Sequence, residues 1–255
     1  MRVDRWTTPF SASFVFLGSL SDFFFPSAGG PVSYTFHGAP SLKDALEALG
    51  VPHVEVDAIV VNGETVAFAR PLRDGDSVAV YPHDVAPDGA VLHLQARPPA
   101  APLFVADVHL RRLAKTLRLL GFDVICSPDL TDAAIVQLSH EAGRIVLTRD
   151  RQLLKRGTLA YGYWVRSTDP LRQAVEVVQR FALGTRARAF TRCSVCNGLL
   201  RTVEKDAVRD RIPPRTALWL DEYHECPDCR RLYWWGTHGA RLRALVEFVL
   251  DSSAR

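Results

Sequence analysis

The chain is short of the features that would place it outside an ordinary soluble-type fold. No apolar run approaches the ~18 residues that a membrane-crossing helix needs. Five cysteines in 255 residues are too few for a disulfide scaffold, so a reducing cytoplasm is the expected compartment. Arg2 and Arg5 ahead of a patchy apolar stretch give a faint signal-peptide pattern. Ser11, Ser13, Ser19, Ser21 and Asp22 break that stretch, and it reads better as a first strand. No glycine-rich loop follows any candidate strand, which excludes a dinucleotide fingerprint and a phosphate loop. What is present is ordinary: 47% apolar and 23% charged residues, in a length that predicts two or three modules at ~100–200 residues each.

The net charge of +3 conceals a division. Residues 1–100 hold six Lys/Arg against eleven Asp/Glu, whereas residues 101–189 hold fourteen against eight. A polyanionic partner would therefore meet the later part of the chain.

The opening segment predicts a small sheet with one helix. Val32 to His37 alternates with period two, and Phe14 to Leu17 is a more continuously apolar strand before it. Ser41-Leu42-Lys43-Asp44 resembles a capping box, followed by Leu42, Ala45, Leu46 and Leu49 at helical spacing. Asn62-Gly63 sits between two apolar runs as a type I′ hairpin turn, and Ser77 to Tyr81 makes a last strand. This order resembles the ubiquitin-like β-grasp, in its sulfur-carrier branch. The chain continues past Tyr81-Pro82-His83, so the free Gly-Gly carboxylate of a carrier is missing. Residues 1–85 are then a docking or packing module, separable from the rest, and residues 86–102 are a proline-rich linker.

From residue 103 strands and helices alternate. Leu103 to Ala106, Asp123 to Cys126, Arg144 to Thr148 and Leu159 to Val165 read as strands of a parallel sheet with helices between them. In such sheets ligands bind beyond the carboxyl ends of the strands. Asp107 and Asp150 arrive there at strand ends, and Asp132 opens the intervening helix. Three convergent carboxylates would repel one another without divalent cations, and Mg²⁺ or Mn²⁺ suits oxygen ligands. Each of these residues also fits a turn or helix cap, Asp129 competes with Asp132, and Asp169-Pro170 is most simply a cap. His109 reads as a solvated helix residue. The helix after Asp107 carries Arg111, Arg112, Lys115 and Arg118 on its polar face, either for phosphate or simply for water. Arg111, Lys115, Arg118 and Arg149 are the candidate RNA contacts.

Cys193-x-x-Cys196 and Cys226-x-x-Cys229 have the spacing of a closed four-thiolate Zn²⁺ site, which would be structural, and Arg209 to Pro214 is an excursion between the pairs. Two disulfides or a redox pair are the alternatives. Cys126 reads as a small buried hydrophobe. Around the second pair, Arg230, Arg231, Tyr233, Trp234, Trp235 and His238 either pack the ribbon or stack on unpaired bases.

Asp107 after a first strand, an acid in a middle helix and Thr148-x-Asp150-x-x-Leu153 resemble the PIN-domain nucleases. The fuller strings, Phe104-Val105-Ala106-Asp107-x-x-Leu110-x-x-Leu113-Ala114, Leu117-Arg118-Leu119-Leu120-Gly121-Phe122-Asp123 and Gly143 to Asp150, resemble the RNase domain named after the C-terminal part of the nematode mutator-seven exonuclease. Bacterial members commonly carry a β-grasp in front and a zinc ribbon behind. The resemblance implies an α+β multidomain protein: β-grasp, PIN-like nuclease at 103–189, then zinc ribbon and C-terminal helix at 190–255. It also implies Asp107, Asp132 and Asp150 as metal-binding acids of an RNase, with no fourth acid evident. A structured RNA such as tRNA or rRNA is the expected partner, and a protein partner on the β-grasp is a further expectation. The rival reading is a non-catalytic RNA- or ribosome-binding protein that keeps the fold as a platform.

Overall fold

The computed structural model describes residues 9–24, 30–85, 87, 89, 91–95, 101–236 and 239–254. The Arg2/Arg5 pattern, the Arg97 to Ala100 part of the linker and His238 lie outside them. The chain divides into two compact units: residues 1–97 with 150–164, and residues 98–149 with 165–255. The fold is mixed α+β, as expected, and among the described residues no helix is long and apolar enough to cross a membrane.

In the first unit, strands β1 (Phe10–Phe16), β2 (Val32–Phe36), β3 (Ala58–Val61), β4 (Glu64–Thr65) and β5 (Ser77–Tyr81) form one sheet in the order β2-β1-β5-β3-β4. The central β1–β5 pair is parallel and the others are antiparallel, which is the β-grasp arrangement. β1 begins four residues earlier than its apolar run suggested. Helix α1 (Leu42–Ala48) starts with both halves of the capping box formed between Ser41 and Asp44. It turns Leu42, Ala45 and Leu46 onto Phe14, Ile59 and Val80 of the sheet core. At the hairpin, Asn62 and Gly63 adopt the two positive φ angles (51° and 92°) that a type I′ turn requires. Asp76 pins the far end of the sheet: it accepts from Arg70 (2.7 Å), from Asn62 (2.9 Å) and from the Arg73 amide (2.9 Å).

Residues 150–164 complete this unit. They hold the short helix α4 (Arg151–Leu154) and strand β9 (Gly162–Trp164). The Arg151 guanidinium lies 4.0 Å from the Trp164 ring centroid and 5.0 Å from that of Phe23, and it donates to the Phe23 carbonyl. Glu55, 1% exposed, accepts from the Trp164 amide at 2.5 Å. Lys155 donates to the Glu47 carbonyl, and His53 bridges Glu47 (2.8 Å) and the Leu159 carbonyl (3.2 Å). At Gly162 a Cβ would come within 2.6 Å of Leu154 and 3.0 Å of Val54, so a larger residue would have to displace these side chains. A separable module ending at residue 85 would leave these groups uncovered. The compact unit thus takes in residues 150–164 in addition to the expected 1–85 module.

In the second unit, β6 (Phe104–Ala106), β7 (Val124–Ile125) and β8 (Ile145–Thr148) are parallel, with β6 in the middle. All three are almost wholly buried, as continuous apolar runs in a covered parallel sheet require. A 3₁₀ turn (Val108–Leu110) leads into α2 (Arg111–Leu119), and α3 (Asp132–Ala142) ends on Gly143 in the left-handed conformation. α5 (Pro170–Arg180) is capped by Asp169, whose Oδ1 accepts from the amides of Leu171 and Arg172. Gly121 (φ +93°) passes so close to the Arg188 carbonyl that a Cβ would collide with it.

The ribbon follows as β10 (Arg201–Val203), α6 (Pro214–Ala217), β11 (Tyr223–Glu225) and β12 (Leu232–Trp234), the strands antiparallel with β11 central. The excursion is longer than residues 209–214: a 3₁₀ helix (Lys205–Arg211) and α6 fill 205–217 around Val208, Ile212 and Tyr223. Glu225, 2% exposed, is ringed by Arg211 (2.7 Å), Arg201 (3.0 Å) and Arg230 (3.2 Å), which hold its carboxyl below the usual range. Helix α7 (Gly239–Ser253) closes the chain against α5.

Arg151→Ala is expected to lower the stability of the first unit by about 1–3 kcal/mol, since it removes a cation held between two rings. Urea unfolding followed by Trp164 fluorescence checks this, with metal content unchanged. In a chain lacking residues 1–85, protease should cut within 150–164 while the cysteine site persists. A 150–164 segment as resistant as in the full chain would contradict its assignment to the β-grasp core.

Candidate metal centre and acidic strand ends

The knuckle Cys193–Cys196 and the knuckle Cys226–Cys229 bring four sulfurs together, all within 4.8 Å of one another. Cys193 and Cys229 are 3.6 Å apart and Cys196 and Cys226 3.3 Å. A tetrahedral ion with 2.3 Å Zn–S bonds sets sulfurs about 3.8 Å apart, so the donor set fits. The residue after each second cysteine, Asn197 or Arg230, takes a positive φ (79° and 62°), turning the chain back around the sulfurs. The Cys196 amide points at Cys193 Sγ (3.4 Å), and the Tyr233 hydroxyl is 3.0 Å from the same sulfur. Burial pushes the Cys193 thiol up, but these donors outweigh it and bring it down to about 6. Burial together with the neighbouring thiols pushes Cys196 up to about 12 and raises Cys229. The role of Tyr233 was not visible in the sequence, where it read only as an aromatic. Free Cys126 is half-buried, and burial raises its thiol.

This centre is fastened to the parallel sheet. Arg118, expected on the solvent face of α2, is 6% exposed. Its Nε and Nη2 donate to the Val124 carbonyl (2.9 and 2.8 Å), and Nη1 donates to the carbonyls of Val195 (2.7 Å) and Ser194 (3.4 Å). Asn197 accepts from the Val124 amide and donates to Asp123. Asp123 also takes Arg144 (2.7 Å) and Arg192 (3.2 Å). Burial pushes the Asp123 carboxyl up, but these donors and charges prevail and hold it below the usual range. Arg118 is therefore corrected from an RNA contact to a strut under the first knuckle. The helical periodicity that put it on the polar face could not reveal a second structure docking there.

Asp107 directly follows β6, and Asp150 lies two residues after the end of β8. Asp107 follows β6, half-buried; its Oδ2 accepts from the Thr148 hydroxyl at the end of β8 (3.0 Å), and its Oδ1 accepts from the His109 amide (3.1 Å). Each oxygen keeps a further lone pair for a cation. Thr148, fully buried, is a partner the sequence showed only as part of Thr148-x-Asp150. Asp132 is exposed in the first turn of α3, and Thr131, not Asp132, is the N-cap. Asp129 closes a turn with Ser127. Asp150, two residues along the chain from Thr148, caps α4 by accepting from the Gln152 amide (2.7 Å). The cysteines are, among the described residues, the one group of three or more His, Cys, Asp and Glu whose ligand atoms gather within 4.8 Å. His109 is exposed, as expected. Arg111, Arg112 and Lys115 remain exposed on α2. Arg149 is half-buried, with its Nη1 near the carbonyls of Val165 (3.1 Å), Arg166 (2.6 Å) and Ser167 (2.5 Å), so that end of the side chain ties down a loop.

The Mut7-C RNAse domain matches residues 102–246, and the Mut7-C ubiquitin domain matches residues 10–88. The chain belongs to the Mut7-C RNAse family. The order of the two Mut7-C matches is that of the β-grasp and the parallel-sheet region, with the cysteine centre inside the RNAse match. No curated protein and no solved structure matches the chain.

Asp123→Asn is expected to cost about 1–3 kcal/mol at neutral pH and to flatten the acid limb of stability. A lowered carboxyl contributes fully above its ordinary value near 3.9, and that contribution is lost as pH falls through the lowered folded value. Urea midpoints between pH 3 and 7 for both proteins check this; an unchanged acid slope would contradict the role of Asp123.

Proposed function

We propose that the protein is a metal-dependent ribonuclease, with an endonucleolytic mode, that uses Asp107, Asp132 and Asp150 to hold Mg²⁺ or Mn²⁺, while Zn²⁺ at the four cysteines is structural. The observation that carries the reading is Asp107: a half-buried carboxylate at the carboxyl end of the central parallel strand, braced by the Thr148 hydroxyl of the next strand, in a chain of an RNase family.

Divalent ions at such a carboxylate set lower the pKa of water and neutralise charge building on the phosphoryl oxygens. The protein's contribution is orientation. Thr148 and the His109 amide each hold one oxygen of Asp107, so the carboxylate is oriented in advance. Asp132, exposed in the first turn of α3, adds negative charge where the helix dipole favours it. Arg111 and Lys115, one helical turn apart, offer charges to the RNA backbone. Attack by water in line with the leaving ribose oxygen would leave 5′-phosphate and 3′-hydroxyl ends. The expected substrate is a structured RNA such as tRNA or rRNA.

Asp107→Asn and Asp150→Asn should abolish cleavage of total RNA in Mg²⁺ or Mn²⁺, and Thr148→Val should reduce activity about 10–100-fold by freeing the Asp107 carboxylate. RNA binding should survive all three substitutions and weaken steeply with salt. Gel analysis of the products with end-group mapping, alongside filter binding, provides the test. Cleavage that persists in the Asp107→Asn, Asp150→Asn double variant would overturn the mechanism. A wild-type chain that binds RNA but cuts none would favour the binding platform.

A further inference from the structure

A cavity of about 720 Å³ opens in the second unit where the ribbon, the start of α7 and the second half of α2 face one another. Its wall includes Phe190, Tyr233, Trp234, Trp235 and Leu242, with Lys115 among the lining residues. All four rings are half-buried; Trp234 packs against Val208, Ile212 and Tyr223, which leaves Phe190, Tyr233 and Trp235 as the rings of the opening. Exposed aromatic surface gathered in one concavity of this size is the usual form of a small-ligand site, not of a packed core. The rings are also held in place. Tyr233 is fixed by its hydroxyl on Cys193 Sγ (3.0 Å). Phe190 meets Trp235 edge-on at 4.6 Å, and Arg243 lies 5.1 Å from the Trp235 ring. At Gly239 a Cβ would come within 2.7 Å of Trp235, so the indole rests directly on the helix backbone. Rigid rings lose little entropy when a flat ligand stacks on them.

The charge around the opening selects the ligand. Lys115 is exposed, and Arg111, also exposed, lies one turn earlier on α2. The unit holding the cavity carries 22 Lys/Arg against 16 Asp/Glu. An apolar peptide would gain nothing from those cations, whereas a nucleotide uses both features at once. Lys115 is also eight residues after Asp107 along one continuous run of 3₁₀ turn and helix, a rise of about 13 Å.

We propose that this cavity seats one unpaired nucleobase of single-stranded RNA, stacked among Phe190, Tyr233 and Trp235, with its neighbouring phosphates on Lys115 and Arg111. The inference rests on the ribonuclease reading and deepens it: the substrate is single-stranded at a position a few nucleotides from the cut, and the zinc ribbon acts as the part that reads it.

The test uses the full chain carrying Asp107→Asn, without added Mg²⁺, so that binding is scored apart from cleavage. The probe is a short single-stranded oligoribonucleotide with one 2-aminopurine, moved through successive positions. Binding should quench 2-aminopurine strongly at one position, and the matching RNA duplex should give no quench. Trp235→Leu, Leu242→Glu and Lys115→Ala should each weaken binding about fivefold or more, and Lys115→Arg should restore it. Zinc content and melting temperature identify any variant that has lost the ribbon; the surface change Lys115→Ala and the rim change Leu242→Glu then carry the test. Unchanged affinity in those folded variants would overturn the proposal, as would equal quenching at every position or equal quenching by duplex. A chain that cleaves RNA yet binds it independently of these residues keeps the nuclease reading and loses the cavity. One that binds through them yet never cleaves keeps the cavity and loses the nuclease.

Discussion

The second unit depends on one junction, where Arg118 and Asp123 meet the first cysteine knuckle. A small ribbon has too little apolar interior to stand alone, and its own cluster is little more than Val208, Ile212 and Tyr223 with their neighbours. The junction compensates by letting the parallel sheet and the knuckle share hydrogen bonds. One guanidinium satisfies carbonyls on both sides, and one carboxylate gathers Arg144, Arg192 and Asn197. Half-satisfied, such a network would cost more than an apolar contact; complete, it fixes the geometry of the four-cysteine cluster beside it.

The same economy governs the acidic strand ends. A parallel sheet delivers side chains from neighbouring strands to one edge, and β6 and β8 use it to set a carboxylate beside a hydroxyl. Asp107, Asp150 and Asp169 all accept amide hydrogen bonds at the start of a turn or helix. Capping and the proposed metal binding thus draw on the same residue type at the same place. A cap holds a carboxylate still while leaving lone pairs open, so the two roles support each other.

Much of this was legible in the sequence because it is local. The capping box at Ser41, the Asn62-Gly63 turn, the buried strand before Asp107, the glycine stop at Gly143 and the paired Cys-x-x-Cys units each depend on residues within a few positions. What periodicity could not supply is partnership across the chain. Arg118 and Arg149 look like solvated cations until distant carbonyls are brought to them. Thr148 looks like a strand residue until Asp107 is placed beside it. Residues 150–164 read as another strand–helix step of the nuclease because nothing nearby betrays that Phe23, Glu47 and Glu55 claim them.

That last feature has a bearing on how the protein is made. Both compact units are discontinuous in sequence, so neither is complete when its first stretch leaves the ribosome. The β-grasp strands end at Tyr81, but the amide that meets the buried Glu55 carboxylate belongs to Trp164. At translation speeds of roughly 5–20 residues per second, about 4–17 s separate the two. During that interval the Glu55 carboxylate lacks the Trp164 amide and the Phe23 ring lacks the Arg151 guanidinium. The first unit is therefore completed only after residues 98–149 of the second have been made.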